Sequence, residues 1–146
     1  MRIAAVQMVS TPDVQANLAA ARKLCRRAAA EGVRLVALPE YFCLMGRRDE
    51  DKLAIAEDDG GGPIQEALSD IARQEGLWVV GGTLPLRSTQ PGRVRNACTV
   101  WSPTGQRVAC YDKIHLFAFD NGRERYDEAR VLLVDGAPDR VRALAG

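Results

Sequence analysis

The stretch RIAAVQMV-STPD-VQANLAAARKLCRRAAAEG-VRLVAL, residues 2–38, decides the fold class. Residues 2–9 are mostly apolar and end at a Ser-Thr-Pro-Asp cluster, the pattern of a buried strand. From 13 to 31 the apolar positions Val14, Leu18, Ala21, Cys25 and Ala28 recur every three or four residues, which places them on one face of a helix. Thr11 and Pro12 fit its N-cap and first position, and Gly32 fits the residue past its C-terminus. Residues 33–38 are then β-branched and apolar until Pro39 stops the run. Strand, helix and strand with a connection this long make a right-handed parallel crossover.

Downstream, residues 39–62 read as a long loop with a short helical stretch around 50–57, closing on Gly60-Gly61-Gly62. A second helix is expected at 63–75, with Ile64, Leu68, Ile71 and Ala72 on one face and Gly76 ending it. Three more strands are expected at 77–86, 94–102 and 106–112. The last two are joined by the short turn Pro103-Thr104-Gly105 and therefore form an antiparallel hairpin. After Lys113 the pattern becomes a polar loop containing Asn121-Gly122, then a weak apolar stretch at 131–134. The expected architecture is α/β, a mixed sheet with helices on at least one face.

Composition limits the function classes. The chain has 146 residues, 47% apolar and 27% charged, enough for one domain with its own core. A net charge of +1 leaves no electrostatic footprint for nucleic acid. No apolar run approaches a membrane span, so neither nucleic acid nor membrane is an expected partner. The start, MRIAAVQMVS, is interrupted by Gln7 and leads straight into a helix pattern, so it is not read as a signal peptide. Cys25, Cys43, Cys98 and Cys110 contain no Cys-x-x-Cys pair and share one histidine, His115, which disfavours a zinc site. Reduced thiols and a cytoplasmic location are the expectation. Cys25, Cys98 and Cys110 read as small buried hydrophobes. Lysine occurs three times, with Lys23 and Lys52 expected on solvated helical faces and Lys113 at a strand end.

Three places can carry chemistry. Glu40, in Leu38-Pro39-Glu40, lies just past the carboxyl end of the second strand, the edge where open α/β sheets bind ligands. Flanked by Pro39, Tyr41 and Phe42, it could be partly desolvated and serve as a general base, or it could simply cap a backbone amide. Lys113, in Tyr111-Asp112-Lys113-Ile114-His115-Leu116-Phe117, could stabilise an oxyanion or simply pair with Asp112. His115 could act as an acid or base, or be structural. Glu128 sits in a charged loop after Tyr126-Asp127 and has no signal by itself. Gly60–Gly62 could hold an anion at a helix start, but it lacks the lysine and hydroxyl residue of a phosphate loop.

Taken in order, these pieces resemble a known family. A strand-Pro-Glu-aromatic block, the strand end Val80-Gly81-Gly82-Thr83, the run Asp112-Lys113-Ile114-His115-Leu116-Phe117 and an aromatic-x-Glu at Tyr126–Glu128 follow one another, after an opening Ala-x-Val-Gln-Met. Together they resemble the nitrilase superfamily of carbon–nitrogen hydrolases, especially its omega-amidase and deaminated-glutathione-amidase-like branch. The resemblance runs from residue 2 to about residue 130. It implies a nitrilase-like α-β-β-α sandwich with mixed sheets, residues 1–146 forming one incomplete, truncated domain. It also implies that a small linear amide, such as the omega-amide of a dicarboxylate, is cleaved to acid and ammonia. Glu40 matches the family's general base, Lys113 the lysine that stabilises the tetrahedral intermediate, and Glu128 a second glutamate that helps position the site. No metal or organic cofactor is implied, and homo-oligomers are possible.

The family's nucleophile is a cysteine in a strand-to-helix elbow well beyond its lysine, and no cysteine follows Lys113 in this sequence. Cys43, three residues from Glu40, has no such role in the family. The ending DGAPDRVRALAG, residues 135–146, departs from the family pattern and reads as an abrupt or frame-shifted finish. The chain is therefore expected to be inactive alone, with an unpaired sheet edge and exposed apolar surface. Two other readings stay open. One is a non-catalytic interaction or regulatory module that keeps the fold. The other is a generic α/β ligand-binding domain.

Overall fold

The computed structural model describes residues 1–134 and the backbone of 141–143. The opening crossover forms as expected: β1 (Ile3–Ala5), α1 (Val14–Ala30) and β2 (Leu35–Ala37), with the two strands parallel. The first strand is shorter than its apolar run. The N-cap is Asp13, whose carboxylate accepts the Ala16 N–H at 3.0 Å, rather than Thr11. Thr11 instead donates its backbone N–H to Asn17 Oδ1 at 2.9 Å. Buried Asn17 in turn donates to the Cys43 carbonyl at 2.9 Å, tying α1 to the loop after β2.

That loop carries one turn of helix, α2 (Asp51–Ala54), before α3 (Pro63–Glu75) and β3 (Trp78–Val80) complete a second parallel crossover. Pro63 opens α3 and Gly76, in a left-handed conformation at φ +63°, closes it. The expected single strand at 77–86 is two strands, β3 and β4 (Leu84–Arg87), both running antiparallel to β5 (Val94–Trp101). The interruption falls on Gly81-Gly82-Thr83. A Cβ on Gly82, which sits at φ +59°, would lie 2.1 Å from the Pro39 carbonyl oxygen. Glycine here lets the chain just before Glu40 press against the sheet.

β5 and β6 (Arg107–Asp112) form the expected hairpin, and β9 (Val141–Ala143), in an ending whose sequence carries no strong periodicity, pairs along β6. Within the polar loop a small separate hairpin forms, β7 (Ala118–Asp120) and β8 (Arg125–Asp127), turning at Asn121-Gly122 and followed by a 3-10 turn at Glu128–Arg130. The rest of the ending, residues 135–140 and 144–146, lies outside the described residues.

The seven-stranded mixed sheet runs β1-β2-β3-β5-β6-β9, with β4 beside β5. α1 and α3 cover one face, burying Leu18, Cys25, Leu68 and Ile71 against Val36 and Val79. The opposite face has Ile3, Leu35 and Trp78 in one cross-strand row and Val80, Val100 and Ala109 in the next. Ile3 is 67% and Trp78 39% exposed there. The described residues thus form two adjoining layers, helix and sheet, of an α-β-β-α arrangement. No helix among them is long and apolar enough to cross a membrane.

Candidate active site

β2 delivers Glu40 to the carboxyl edge of the sheet. The Leu38 N–H is still bonded to the Val80 carbonyl at 2.9 Å, and Pro39 then ends the ladder. Tyr41 turns the chain with a positive φ of 54°, an uncommon conformation for a side chain of this size. Its N–H is held by Thr83 Oγ1 at 2.9 Å, so the Gly-Gly-Thr break in the neighbouring strand fixes the turn carrying Glu40. The Glu40 side chain is 46% exposed, so it is only partly withdrawn from solvent. It does not cap a backbone amide. Glu40 Oε1 accepts from Asn96 Nδ2 at 3.0 Å and from Lys113 Nζ at 2.9 Å.

Lys113 leaves the end of β6 with its backbone N–H on the Asn96 carbonyl at 2.9 Å. Its ammonium lies between two carboxylates, 2.9 Å from Glu40 Oε1 and 2.9 Å from Glu128 Oε2. Asp112, the expected simple partner, instead forms a two-pronged pair with buried Arg95, which also reaches Asp59 at 3.1 Å. Burial works against the Lys113 charge, but the two glutamates outweigh it and raise the pKa above the ordinary lysine value.

Glu128 opens the 3-10 turn after β8 and is buried, 3% exposed. Its carboxylate accepts from the Phe117 N–H at 2.7 Å, from the Tyr41 hydroxyl at 2.7 Å and from Lys113. Burial pushes its pKa up, and these donors more than offset that, leaving it below the usual carboxylate range. Burial, reinforced by the bond to Glu128, raises the Tyr41 hydroxyl far above its ordinary value, so it remains a donor. The structure therefore brings Glu40, Lys113 and Glu128 together from three distant segments. A half-exposed carboxylate beside a fixed ammonium can accept a proton while the ammonium receives negative charge.

The thiols lie elsewhere. Cys43 is 1% exposed, its Sγ is 3.7 Å from the Thr83 carbonyl oxygen, and burial pushes its pKa up to about 12. Burial likewise takes Cys25 and Cys110 to about 11 and raises Cys98. His115 is exposed and its side chain bonds none of the described residues. The Gly60–Gly62 turn holds no free anion site, because the carboxylate of buried Glu57 accepts the Ile64 and Gln65 N–H groups at the start of α3. Lys52, expected on a solvated face, is 7% exposed and paired with Asp49 at 3.1 Å. No group of side chains suited to a metal ion occurs among the described residues.

Sequence reading missed Asn96, which touches both Glu40 and the Lys113 backbone, because an asparagine in an apolar strand carries no motif. The one available signal is that a polar residue inside a buried strand needs a partner.

Residues 2–138 match the family described as carbon-nitrogen hydrolase. The chain is 34% identical over 133 residues to omega-amidase NIT2 of Xenopus tropicalis, covering 90% of this chain and 46% of that protein. It is 31% identical over 135 residues to deaminated glutathione amidase of Synechocystis, covering 88% of this chain and 48% of that one. Among solved structures, an amidase from Nesterenkonia superposes with a TM-score of 0.77 at 26% identity, over 99% of this chain and 51% of that one. A variant of that amidase was solved in complex with acrylamide. The chain spans about half the length of the curated relatives it matches.

Proposed function

This chain belongs to the carbon–nitrogen hydrolase family, and from that premise we propose that Glu40, Lys113 and Glu128 are the base, the oxyanion cation and the positioning carboxylate of an amide-hydrolysing site. The observation carrying this reading is the Lys113 ammonium held 2.9 Å from each of two glutamates that lie far apart in sequence. The substrate is a small linear amide, in keeping with the amidases among its relatives, and an omega-amide of a dicarboxylate fits best.

In this reading Glu40 takes the proton of an attacking thiol, and a sulfur–carbon bond forms at the amide carbon. The carbonyl oxygen gains negative charge facing Lys113, which Glu128 holds in place. Collapse breaks the carbon–nitrogen bond, and the Glu40 proton leaves with ammonia. Water, deprotonated by Glu40, then cleaves the thioester and frees the thiol. The four cysteines of this sequence all precede Lys113, and Cys43 is buried with its thiol on a carbonyl. In this reading the described residues supply the base and the cation, and ammonia release depends on a thiol that none of these cysteines is assigned to provide.

The test is a graft. Residues 1–134 replace the N-terminal half of the Xenopus tropicalis omega-amidase, and ammonia release from glutaramate is measured. The expected result is turnover that Glu40→Gln or Lys113→Ala lowers by about a thousandfold. Turnover insensitive to both substitutions would sink the assignment. A folded graft without turnover, together with a native chain that captures a defined protein partner, favours instead a non-catalytic module.

A further inference from the structure

We propose that Tyr41 is a positioning residue that makes the two glutamates around Lys113 unequal: its hydroxyl takes the last open place on Glu128, so that Glu40 alone is left to accept a proton. The inference deepens the amidase reading and rests on it.

The difference lies in the individual oxygens. A carboxylate offers about four lone-pair sites. Glu128 Oε1 accepts from the Tyr41 hydroxyl at 2.7 Å and from Lys113 at 3.2 Å. Its Oε2 accepts from the Phe117 N–H at 2.7 Å and faces the same ammonium at 2.9 Å. Those contacts fill a side chain that is already buried. Glu40 is filled on one side only. Its Oε1 accepts from Asn96 at 3.0 Å and from Lys113 at 2.9 Å, while Oε2 meets no donor among the described residues. A proton released beside this cluster therefore has one ready acceptor, Glu40 Oε2.

Two of the donors to Glu128 are there for other reasons. The Phe117 N–H is fixed by the local chain, because the Glu128 N–H returns a bond to the Phe117 carbonyl at 3.0 Å. The Lys113 ammonium is shared with Glu40. The Tyr41 hydroxyl remains, and it comes from the residue next to the proposed base.

Tyr41 is anchored at every end. Thr83 Oγ1 holds its N–H at 2.9 Å, and its carbonyl accepts the Leu44 N–H at 3.2 Å. The buried Lys52 ammonium lies 4.5 Å from the centre of its ring. These contacts keep the backbone at a φ of 54°, a conformation that costs energy and persists only where its surroundings hold it. The neighbouring phenol, Tyr126, is engaged by Asp49. The Tyr41 proton goes to Glu128 because a charged acceptor at 2.7 Å makes the stronger bond. A phenylalanine ring would fill the same space, so the hydroxyl is what sets this side chain apart.

The experiment follows the Glu128 carboxyl carbon by NMR in the intact chain as pH falls, with and without Tyr41→Phe. The substitution keeps the ring and removes one donor to the charged form. The Glu128 midpoint is expected to rise by about one unit, tenfold in proton affinity. A tyrosine that only fills space leaves the midpoint where it is. In the unmodified chain the Tyr41 hydroxyl proton should be protected from exchange and lose that protection as Glu128 is protonated, a reading that needs no variant to fold. In the omega-amidase graft, Tyr41→Phe should lower kcat about tenfold with KM little changed. An unmoved midpoint in Tyr41→Phe, or, where that variant does not fold, a hydroxyl signal indifferent to Glu128 protonation, overturns the role of Tyr41 and leaves the amidase reading standing. A moved midpoint in a chain whose graft ignores both Glu40→Gln and Lys113→Ala sinks the amidase reading instead, and with it the catalytic meaning of the Tyr41 bond.

Discussion

Glu128 accepts from the Phe117 N–H, the Tyr41 hydroxyl and the Lys113 ammonium, and all three donors favour its charged form. Folding therefore lowers its pKa. In acid the unfolded chain holds more protons at this carboxyl than the native chain does, so stability rises with pH there. The contribution is complete above the ordinary glutamate value of about 4.3. It disappears as pH falls through the lower native value. Lys113 is shifted the other way, upward, so its share is complete at neutral pH and is lost only as pH rises through its native value. Between those limits the cluster is intact. Glu128→Gln is expected to cost about 2 kcal/mol at pH 7, the scale of a charged hydrogen bond. Urea melts of both proteins should converge in strong acid; an equal difference at pH 7 and in acid would mean that the carboxylate charge contributes nothing.

Two residues of this site, Glu40 and Lys113, stood at recognisable places in the sequence because strand ends are easy to locate. Glu128 was legible only through its block order, since a short exposed hairpin precedes it and leaves little apolar periodicity. Tyr41 was noted only as an apolar neighbour. Its backbone turn and its hydroxyl come from contacts with Thr83 and Glu128, and no local pattern encodes either. The burial of Lys52 was missed for a similar reason: the rings covering it lie at Tyr41 and Tyr126, in other segments.

Elements with their own stop signals were read most accurately. α3 begins at Pro63 and ends before a left-handed Gly76, as expected from those two residues alone. The third strand was read as one run over 77–86 because apolar residues resume at Leu84, although the block Val80-Gly81-Gly82-Thr83 also reads as a strand end. The reason for the interruption is the Pro39 carbonyl, some forty residues earlier, which occupies the space of a Gly82 Cβ. Gly82→Ala is expected to destabilise the chain by about 2–4 kcal/mol through the positive φ and the clash. Gly61 has an ordinary φ and nothing within 4 Å of its Cβ position, so Gly61→Ala should stay within about 0.5 kcal/mol. Thermal or denaturant unfolding of the two variants decides this, and equal effects would remove the close approach as the reason for the Gly-Gly break.

At the scale of the whole molecule, one sheet face lies under α1 and α3 while the other presents Ile3 and Trp78 to solvent, with Leu35 and Val80 beside them. Sheets with an apolar second face normally have it covered. The isolated chain is expected to associate as its concentration rises, seen as growing mass in light scattering. Ile3→Lys with Trp78→Lys should reverse the effect, because these two side chains stand in one cross-strand row with Leu35 between them. A compact monomer with a cooperative melt at every concentration would contradict this expectation.

The distance along the chain between Glu40 and Lys113 has a kinetic consequence. Seventy-three residues separate them, and fifteen more lead to Glu128. No fragment of local structure can hold these charges together, because closing such loops costs entropy before any contact returns it. Their meeting must wait until the strands that carry Glu40 and Lys113 are aligned. The three charges therefore report on completed folding: a probe of their ion pairs follows the assembly of the sheet rather than the formation of either helix.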